Sequence, residues 1–221
     1  MIKLLLRAWE LIAWIHAFQH SISVTFAHLL GRPLPTLPDQ LSSTSKPVSI
    51  DNSLLCDSTK LAFVDLLEIN SDLILTELEQ LDISRFVSWG DQYPHQAGWC
   101  TFSFYAYGLK FENNCQSCLE TSRLLEQVPN LVTAGFAALA PGTCLTYPGE
   151  TSRNLWRCHL GLLIPEQCGI QIQQIQQTWR KGKCLIFDHA ADHTVWNWSN
   201  RTHVILSIDF RVPKERLMYG I

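Results

Sequence analysis

Charged side chains are scarce in this sequence, and basic ones never form a run. Asp, Glu, Lys and Arg make up 17% of the 221 residues, and the formal net charge is −3, whereas roughly a quarter of a soluble domain is usually charged. Nucleic-acid-binding proteins need clustered Lys and Arg to displace counterions from phosphates. The composition therefore argues against a nucleic-acid partner, and the 47% of hydrophobic residues argues against a disordered chain.

The sequence also gives no sign of a disulfide framework. Its eight cysteines are scattered through a chain that is long enough to bury a hydrophobic core. Cys115 and Cys118 form a CxxC pair, but no second pair follows at the spacing of a structural zinc site. We expect reduced thiols, a reducing compartment and a cytoplasmic protein.

The N-terminal residues 1–31 form an apolar segment in which hydrophobic residues recur at helical spacing. No Asp, Glu, Lys or Arg occurs from Leu11 to Gly31, which is long enough to span a membrane. His16 and His20 make this stretch more polar than most spanning helices. Two alternatives stay open: a helix that packs on the domain or lies at an interface, and membrane association through residues 11–31.

The rest of the chain divides into a linker and one domain. Residues 32–53 are rich in Pro, Ser and Thr and are predicted to be a linker. Residues 54–221 form the domain, which begins with a helical stretch, Leu61–Leu81. This stretch is broken near Asn70, and we expect Ser71 to cap its second half.

Beyond Trp89 the pattern changes to short aromatic and β-branched runs separated by turn residues. These runs predict strands at Thr101–Leu109, Val132–Leu139, Leu155–Ile164, Gly169–Ile175, Cys184–Phe187, Thr194–Trp196 and His203–Val212. Such a succession after an initial helical layer indicates a mainly β sandwich or jelly-roll barrel with flanking N-terminal helices.

One predicted strand carries two cationic or hydrogen-bonding side chains on the same face. Arg157 and His159 are two residues apart, so both point the same way and together suit a carboxylate ligand. Gly161 follows on that face and is expected to leave space for the ligand. A polar patch on a solvated sheet edge is the alternative interpretation of this pair.

Two further segments carry side chains suited to chemistry. Asp188, His189, Asp192 and His193 lie close together and could supply metal ligands, or they could form an ordinary turn with Asp caps. In the last strand, alternate residues from Val204 to Phe210 are apolar, while the opposite face presents polar side chains toward a barrel interior.

In this order and spacing, the segments resemble the aspartyl/asparaginyl β-hydroxylase family. The matching residues are Asn114-Cys115 through Leu124-Leu125, Pro141-Gly142-Thr143, Arg157-Cys158-His159-Leu160-Gly161-Leu162, Ile164-Pro165, Trp179, Gly182-Lys183, Phe187-Asp188, His193, Val195-Trp196, Asp209 and Pro213. The resemblance implies a double-stranded β-helix, a cupin-like jelly-roll barrel, with Fe(II) and 2-oxoglutarate as cofactors.

The resemblance also implies roles for individual residues. His193 matches the distal iron ligand, and Arg157 and His159 match the pair that holds one carboxylate of 2-oxoglutarate. His189 is a candidate for a second iron ligand. His203 occupies the place of the arginine that anchors the far carboxylate, and Arg201 is a candidate replacement for it.

The sequence departs from the family pattern at two further positions. Where the family has its proximal iron-ligating histidine, this sequence has Tyr147 or, without a gap, Pro148. Ala137 stands where a small hydroxyl residue is expected. Tyr147 as an anionic ligand is one way in which the site could be rebuilt.

Two hypotheses follow for the function. The first is a remodelled Fe(II)/2-oxoglutarate dioxygenase that hydroxylates an amino-acid (Asp/Asn-like), peptide or acyl substrate. The second is a catalytically inactive family member that acts as a binding or interaction module, because a fold does not by itself imply an activity.

Overall fold

A computed structural model describes residues 61–88, 97–148 and 154–212. The apolar segment 1–31, the linker 32–53 and the possible membrane association of residues 11–31 therefore lie outside the described residues. Within the described ranges, no helix is both long enough and apolar enough to cross a membrane.

The described chain is mainly β, with two short helices before the first strand and two between the third and fourth strands. The helices are α1 (Ala62–Ile69), α2 (Ser71–Glu79), α3 (Glu112–Ser117) and α4 (Leu119–Leu125), and one 3-10 turn covers Ile83–Arg85. The strands are β1 (Val87–Ser88), β2 (Trp99–Ala106), β3 (Leu109–Lys110), β4 (Leu131–Leu139), β5 (Thr143–Tyr147), β6 (Leu155–Leu163), β7 (Cys168–Ile172), β8 (Ile175–Gln177), β9 (Cys184–Asp188), β10 (His193–Asn197) and β11 (His203–Arg211).

The strands form two antiparallel sheets that pack as a double-stranded β-helix barrel. The large sheet has the order β1-β2-β4-β11-β6-β9, with β3 paired to β2, and the small sheet has the order β5-β10-β7-β8. Strands distant in sequence are neighbours in both sheets, as in a jelly roll. The predicted barrel of the C-terminal half is therefore confirmed.

The large sheet buries a different cluster on each of its two faces. The outer face, defined by Phe102, Phe136, Leu160 and Ile208, packs against the helices. The inner face, defined by the alternate residues such as Ala137, Phe187 and Ile205, packs against the small sheet. Because side chains alternate along a strand, each central strand contributes to both clusters.

The predicted helices outside the barrel are present, but their capping differs from the expectation. The break falls between Ile69 and Ser71, so α1 and α2 are separate helices. Ser71 is the first residue of α2; Asn70 is its N-cap, and that side chain makes no capping hydrogen bond. The N-terminus of α4 is instead satisfied by Glu77 of α2, whose carboxylate accepts hydrogen bonds from the backbone of Glu120 and Thr121.

Strand boundaries agree with the sequence except where turns are tight. The predicted strand Gly169–Ile175 is two strands, β7 and β8, which pair as a hairpin around Gln173, a residue with a positive φ of 49°. Strand β5 was not predicted, because Thr143–Tyr147 is short and follows Pro141-Gly142 closely. Its position matters because it pairs with β10 and so places Tyr147 opposite His193.

Candidate functional site

The inner face of the barrel brings together most of the residues that the sequence indicated. His159 on β6, His193 on β10 and His203 on β11 are all buried between the two sheets. Aromatic rings connect them: Phe187 contacts both His159 and His193, and Trp179 contacts both His159 and His203. Strand alternation predicted this orientation, and the solvated-edge interpretation of Arg157 and His159 is wrong.

Arg157 already holds a carboxylate of this chain. It pairs across strands with Asp209 on β11, and its Nε and Nη2 donate to the two carboxylate oxygens at 2.7 and 3.0 Å. This two-pronged geometry is the one in which a guanidinium binds a carboxylate best. The Arg157 guanidinium, which the resemblance assigns to 2-oxoglutarate, is therefore hydrogen-bonded to Asp209.

His189 lies beside the same ion pair. It follows β9, and its Nε2 is 3.9 Å from the nearer carboxylate oxygen of Asp209. The backbone of the same turn is fixed by bonds from His189 N to the Leu155 carbonyl and from Ala191 N to the Asp188 carbonyl. The structure thus places His189 with Arg157 and Asp209, and its role as a metal ligand stays a prediction.

His159 is a neutral, fully buried imidazole. The indole Nε1 of Trp179 donates to its Nδ1 at 3.3 Å, so the remaining proton of the neutral ring lies on Nε2. Burial, and then the positive charge of Arg157, lower the pKa of His159 well below its usual value. This ring can offer a ligand a hydrogen bond but no charge.

The space expected beside Gly161 is occupied by backbone. A Cβ at this position would collide with the carbonyl of Arg180, and Gly161 exchanges backbone hydrogen bonds with Gly182 and Lys183. The glycine is therefore required for the close approach of the segment that precedes β9. The expectation that Gly161 leaves room for a ligand is wrong for this reason.

His193 is oriented as a metal-ligating histidine would be. Its Nδ1 lies 3.0 Å from the Ala191 carbonyl, and since a carbonyl can only accept, Nδ1 carries the proton and Nε2 keeps its lone pair. Burial lowers the pKa of His193 to about 4, and the bond to Ala191 partly counteracts this. Tyr147 stacks on the ring, with centroids 5.1 Å apart.

Tyr147 itself is a neutral phenol in this environment. Burial raises its pKa to about 12, which the charge of Arg157 only partly offsets. Its hydroxyl oxygen is buried and makes no hydrogen bond within the described part of the chain. Burial outweighs the charge of Arg157, so the phenolate that would make Tyr147 a strong iron ligand is disfavoured.

His203 occupies the other end of this ring system, at the start of β11. Its ring centroid is 4.3 Å from that of Trp179, and burial lowers its pKa to about 4. Arg201, the candidate replacement for the anchoring arginine, is exposed two residues earlier, in the turn before β11. Ala137 is buried on the neighbouring strand β4, where it pairs with Ile205.

These residues do not fit Fe(II) together with 2-oxoglutarate. Among the described residues, no three His, Cys, Asp or Glu side chains come close enough together to hold a metal ion. His193 offers one good ligand atom, and its cross-strand neighbour is a neutral phenol. A dicarboxylate would also need a cationic partner for its far carboxylate, whereas His203, at the place of the anchoring arginine, is neutral.

Sequence reasoning missed two contacts that define the site. Asp209 was placed on the inner face, but its pairing with Arg157 depends on the register of β11 against β6, which alternation alone does not set. Trp179 was matched to the family without a role, although its indole joins His159 to His203. In the sequence, the position of Trp179 shortly before Gly182 was the only indication that this side chain belongs to the site.

The cysteines take no part in this site. Seven cysteines lie in the described ranges, and none of them forms a disulfide. Cys115 and Cys118 are buried beneath α3 and α4, and burial raises the pKa of both thiols, that of Cys118 to about 12. Such thiols are poor redox nucleophiles, so the CxxC pair is part of the core.

The comparison with known proteins agrees with the fold. Residues 68–213 match the family described as Aspartyl/Asparaginyl beta-hydroxylase. The chain is 36% identical over 118 residues to the ornithine lipid ester-linked acyl 2-hydroxylase of Rhizobium tropici, a stretch that covers 52% of this chain and 42% of that protein.

Two vertebrate proteins are similar over comparable stretches. Identity is 34% over 146 residues to the mouse aspartate beta-hydroxylase domain-containing protein 2, which covers 61% of this chain and 42% of the relative. It is 32% over 160 residues to the human aspartyl/asparaginyl beta-hydroxylase, with coverages of 67% and 21%. The matched stretches thus span less than half the length of these relatives. With two thirds of its own length matched to the family, the chain belongs to the aspartyl/asparaginyl β-hydroxylases.

Proposed function

We propose that this barrel is a binding module for a small molecule, an amino acid or a peptide side chain, and that it does not perform Fe(II)/2-oxoglutarate oxygenase chemistry. The observation that carries this proposal is the pair formed by His193 and Tyr147. The residue directly across the strands from the one well-oriented ligand histidine is a half-buried tyrosine whose hydroxyl is buried and neutral.

The consequence for iron follows from the number of ligands. Fe(II) sites of non-haem oxygenases hold the metal with at least two or three imidazole or carboxylate groups. One imidazole leaves most coordination positions to water, so the affinity that His193 alone can provide is low. His189, whose Nε2 lies 3.9 Å from a carboxylate oxygen of Asp209, is the candidate for a second imidazole.

The consequence for 2-oxoglutarate follows from charge. Removing one partner of a buried ion pair leaves the other charge uncompensated, which costs about 3–5 kcal/mol. A carboxylate ligand that displaced Asp209 from Arg157 would impose this kind of cost on Asp209. The interior therefore favours ligands that do not compete for the Arg157 guanidinium.

A hydroxylase remains the second candidate, and two observations favour it. The relatives are named as hydroxylases of aspartyl or asparaginyl residues and of an ornithine lipid acyl chain. His193 also keeps its Nε2 lone pair directed away from the bond that Nδ1 makes with Ala191. In this alternative, an amino-acid or acyl substrate would be hydroxylated at a rebuilt iron site that includes His193 and His189.

Calorimetric titration with Fe(II) under anaerobic conditions tests the proposal. We expect weak, substoichiometric binding by the wild type, centred on His193. Tyr147→His restores a second imidazole across from His193, so this variant should bind one Fe(II) at least about tenfold more tightly, and the added His193→Ala change should abolish that gain.

A parallel assay follows conversion of 2-oxoglutarate to succinate with and without Fe(II). No turnover above the metal-free control is expected for the wild type. Tight one-to-one binding that is lost in both His193→Ala and His189→Ala, together with turnover, would establish the hydroxylase instead. Tight binding unaffected by His193→Ala would show that the iron site lies on other residues.

A further inference from the structure

The ring of His203 has two buried nitrogens that the described residues leave without hydrogen-bond partners. The residue is only 2% exposed, and neither Nδ1 nor Nε2 makes a hydrogen bond within the described part of the chain. A neutral imidazole has one donor and one acceptor, and buried polar groups in folded proteins are nearly always satisfied by protein, water or ligand. Their partner therefore lies outside the described residues, and a bound ligand is one group that can supply it.

The neighbours of His203 define the chemistry of that partner. Ala137 on the adjacent strand has no hydrogen-bonding group, and Ile205 and Trp179 are apolar walls whose one polar atom, the indole nitrogen, is bonded to His159. Arg201 is exposed in the turn before the strand. No cationic side chain among the described neighbours is therefore placed to compensate a buried anion.

We infer that the His203 end of the barrel interior binds an uncharged hydrogen-bonding group of the carboxamide type, and that it rejects the carboxylate of the same shape. This inference rests on the proposed function and specifies its ligand. A carboxamide can donate to the acceptor nitrogen of a neutral imidazole or accept from its N–H. A carboxylate only accepts, and it would be buried without a counter-charge, which is far more costly than burying a satisfied amide.

Benzamide and benzoate are suitable probes, because they have nearly the same shape and differ in charge. Their affinities for the metal-free protein are measured by calorimetry at pH 7. We expect benzamide to bind at least about tenfold more tightly than benzoate. His203→Phe keeps an aromatic ring but removes both nitrogens, and should weaken benzamide binding about tenfold.

A charge-restoring variant provides the matched reversal. His203→Arg places the guanidinium of the family pattern at this position and should invert the preference toward benzoate. The wild-type preference needs no variant, so the inference stays testable if His203→Arg does not fold. Circular dichroism and thermal unfolding establish whether each variant is folded.

Three outcomes would overturn the inference. Benzoate may equal or exceed benzamide in wild-type affinity; benzamide affinity may be unchanged in His203→Phe; or neither probe may bind, which would mean that buried water alone satisfies the imidazole. Turnover of 2-oxoglutarate together with a preference for benzamide would overturn the proposed function alone. Absence of turnover together with a preference for benzoate would overturn this inference alone.

Discussion

The two faces of the large sheet are buried to a similar extent but are built from different side chains. The outer face is apolar throughout its centre, where the rings of Phe102, Phe104 and Phe136 contact one another. The inner face buries Arg157 with Asp209 and three neutral histidines among its apolar residues. Both faces belong to the same strands, so the difference lies entirely in which alternate residues are polar.

The apolar outer face stabilises the fold, whereas the polar inner face carries the residues of the proposed ligand site. Burying apolar surface contributes roughly 25 cal/mol per Å², so the outer face adds stability wherever its rings are excluded from water. Burying a polar group without a partner costs about 1–3 kcal/mol. The inner face therefore contributes less stability per buried side chain than the outer face, and its histidines are the residues on which the proposed binding function rests.

The largest expected effect comes from opening a cavity in the outer face. Phe136 is fully buried between Phe102 and Phe104, so Phe136→Ala should lower the free energy of unfolding by about 3–5 kcal/mol. Urea denaturation followed by circular dichroism measures this. The matched control is Leu119→Ala, at a side chain that is 66% exposed, which should change stability by less than about 0.5 kcal/mol. Equal effects of the two variants would contradict the assignment of the outer face as the stabilising core.

A smaller effect is expected when the inner ion pair is broken. Asp209→Ala leaves the Arg157 charge without its partner and should cost about 3 kcal/mol, at the low end for buried pairs because the Arg157 side chain is 20% exposed. Replacing both residues, as in Arg157→Met with Asp209→Leu, should recover most of the loss.

The control for the inner ion pair is an exposed one. Asp72 lies 3.8 Å from Lys181, and both side chains are more than half exposed, so Asp72→Ala should leave the free energy of unfolding unchanged. If the double variant of Arg157 and Asp209 is as unstable as Asp209→Ala, the loss of stability does not come from the unpaired charge of Arg157, and the prediction is wrong.

A dependence of stability on pH is expected from the same face, and its effect per pH unit is smaller than the effect of either substitution above. Burial lowers the pKa of His203 to about 4 in the folded protein, against about 6.5 in the unfolded chain. Between these values the unfolded state binds the extra proton, so stability falls as the pH is lowered from 6.5 toward 4 and then levels off. His203 alone contributes roughly 1.4 kcal/mol per pH unit at the steepest part.

His203→Phe removes this titrating group. The dependence of the free energy of unfolding on pH should therefore become less steep between pH 6.5 and pH 4, by the contribution of one proton. The measurement is the free energy of unfolding from pH 7 to pH 4, compared between wild type and variant. An unchanged slope would show that His203 is protonated in the folded state and that the inner face is not a neutral surface at that end.

The comparison of the faces also shows how far the sequence could be interpreted without a structure. Alternation along the segments around His159 and His203 predicted which residues share a face, since the period of a strand is two. The same pattern could not show that Arg157 meets Asp209, because that pairing depends on a register between strands separated by some fifty residues. Nor could it show that Gly161 is in contact with the Arg180 backbone.

The sequence by itself determined the family, the barrel with its helices on one side, and the inward orientation of the three histidines. These properties follow from local periodicity and from the order of the matching segments, and both can be read from the amino-acid sequence alone. Only the tertiary structure decided which groups are charged, paired or left without partners inside the barrel. Those states depend on cross-strand register and on burial, so the neutral His203, the stacked Tyr147 and the Asp209 that engages Arg157 become visible only when both sheets are assembled.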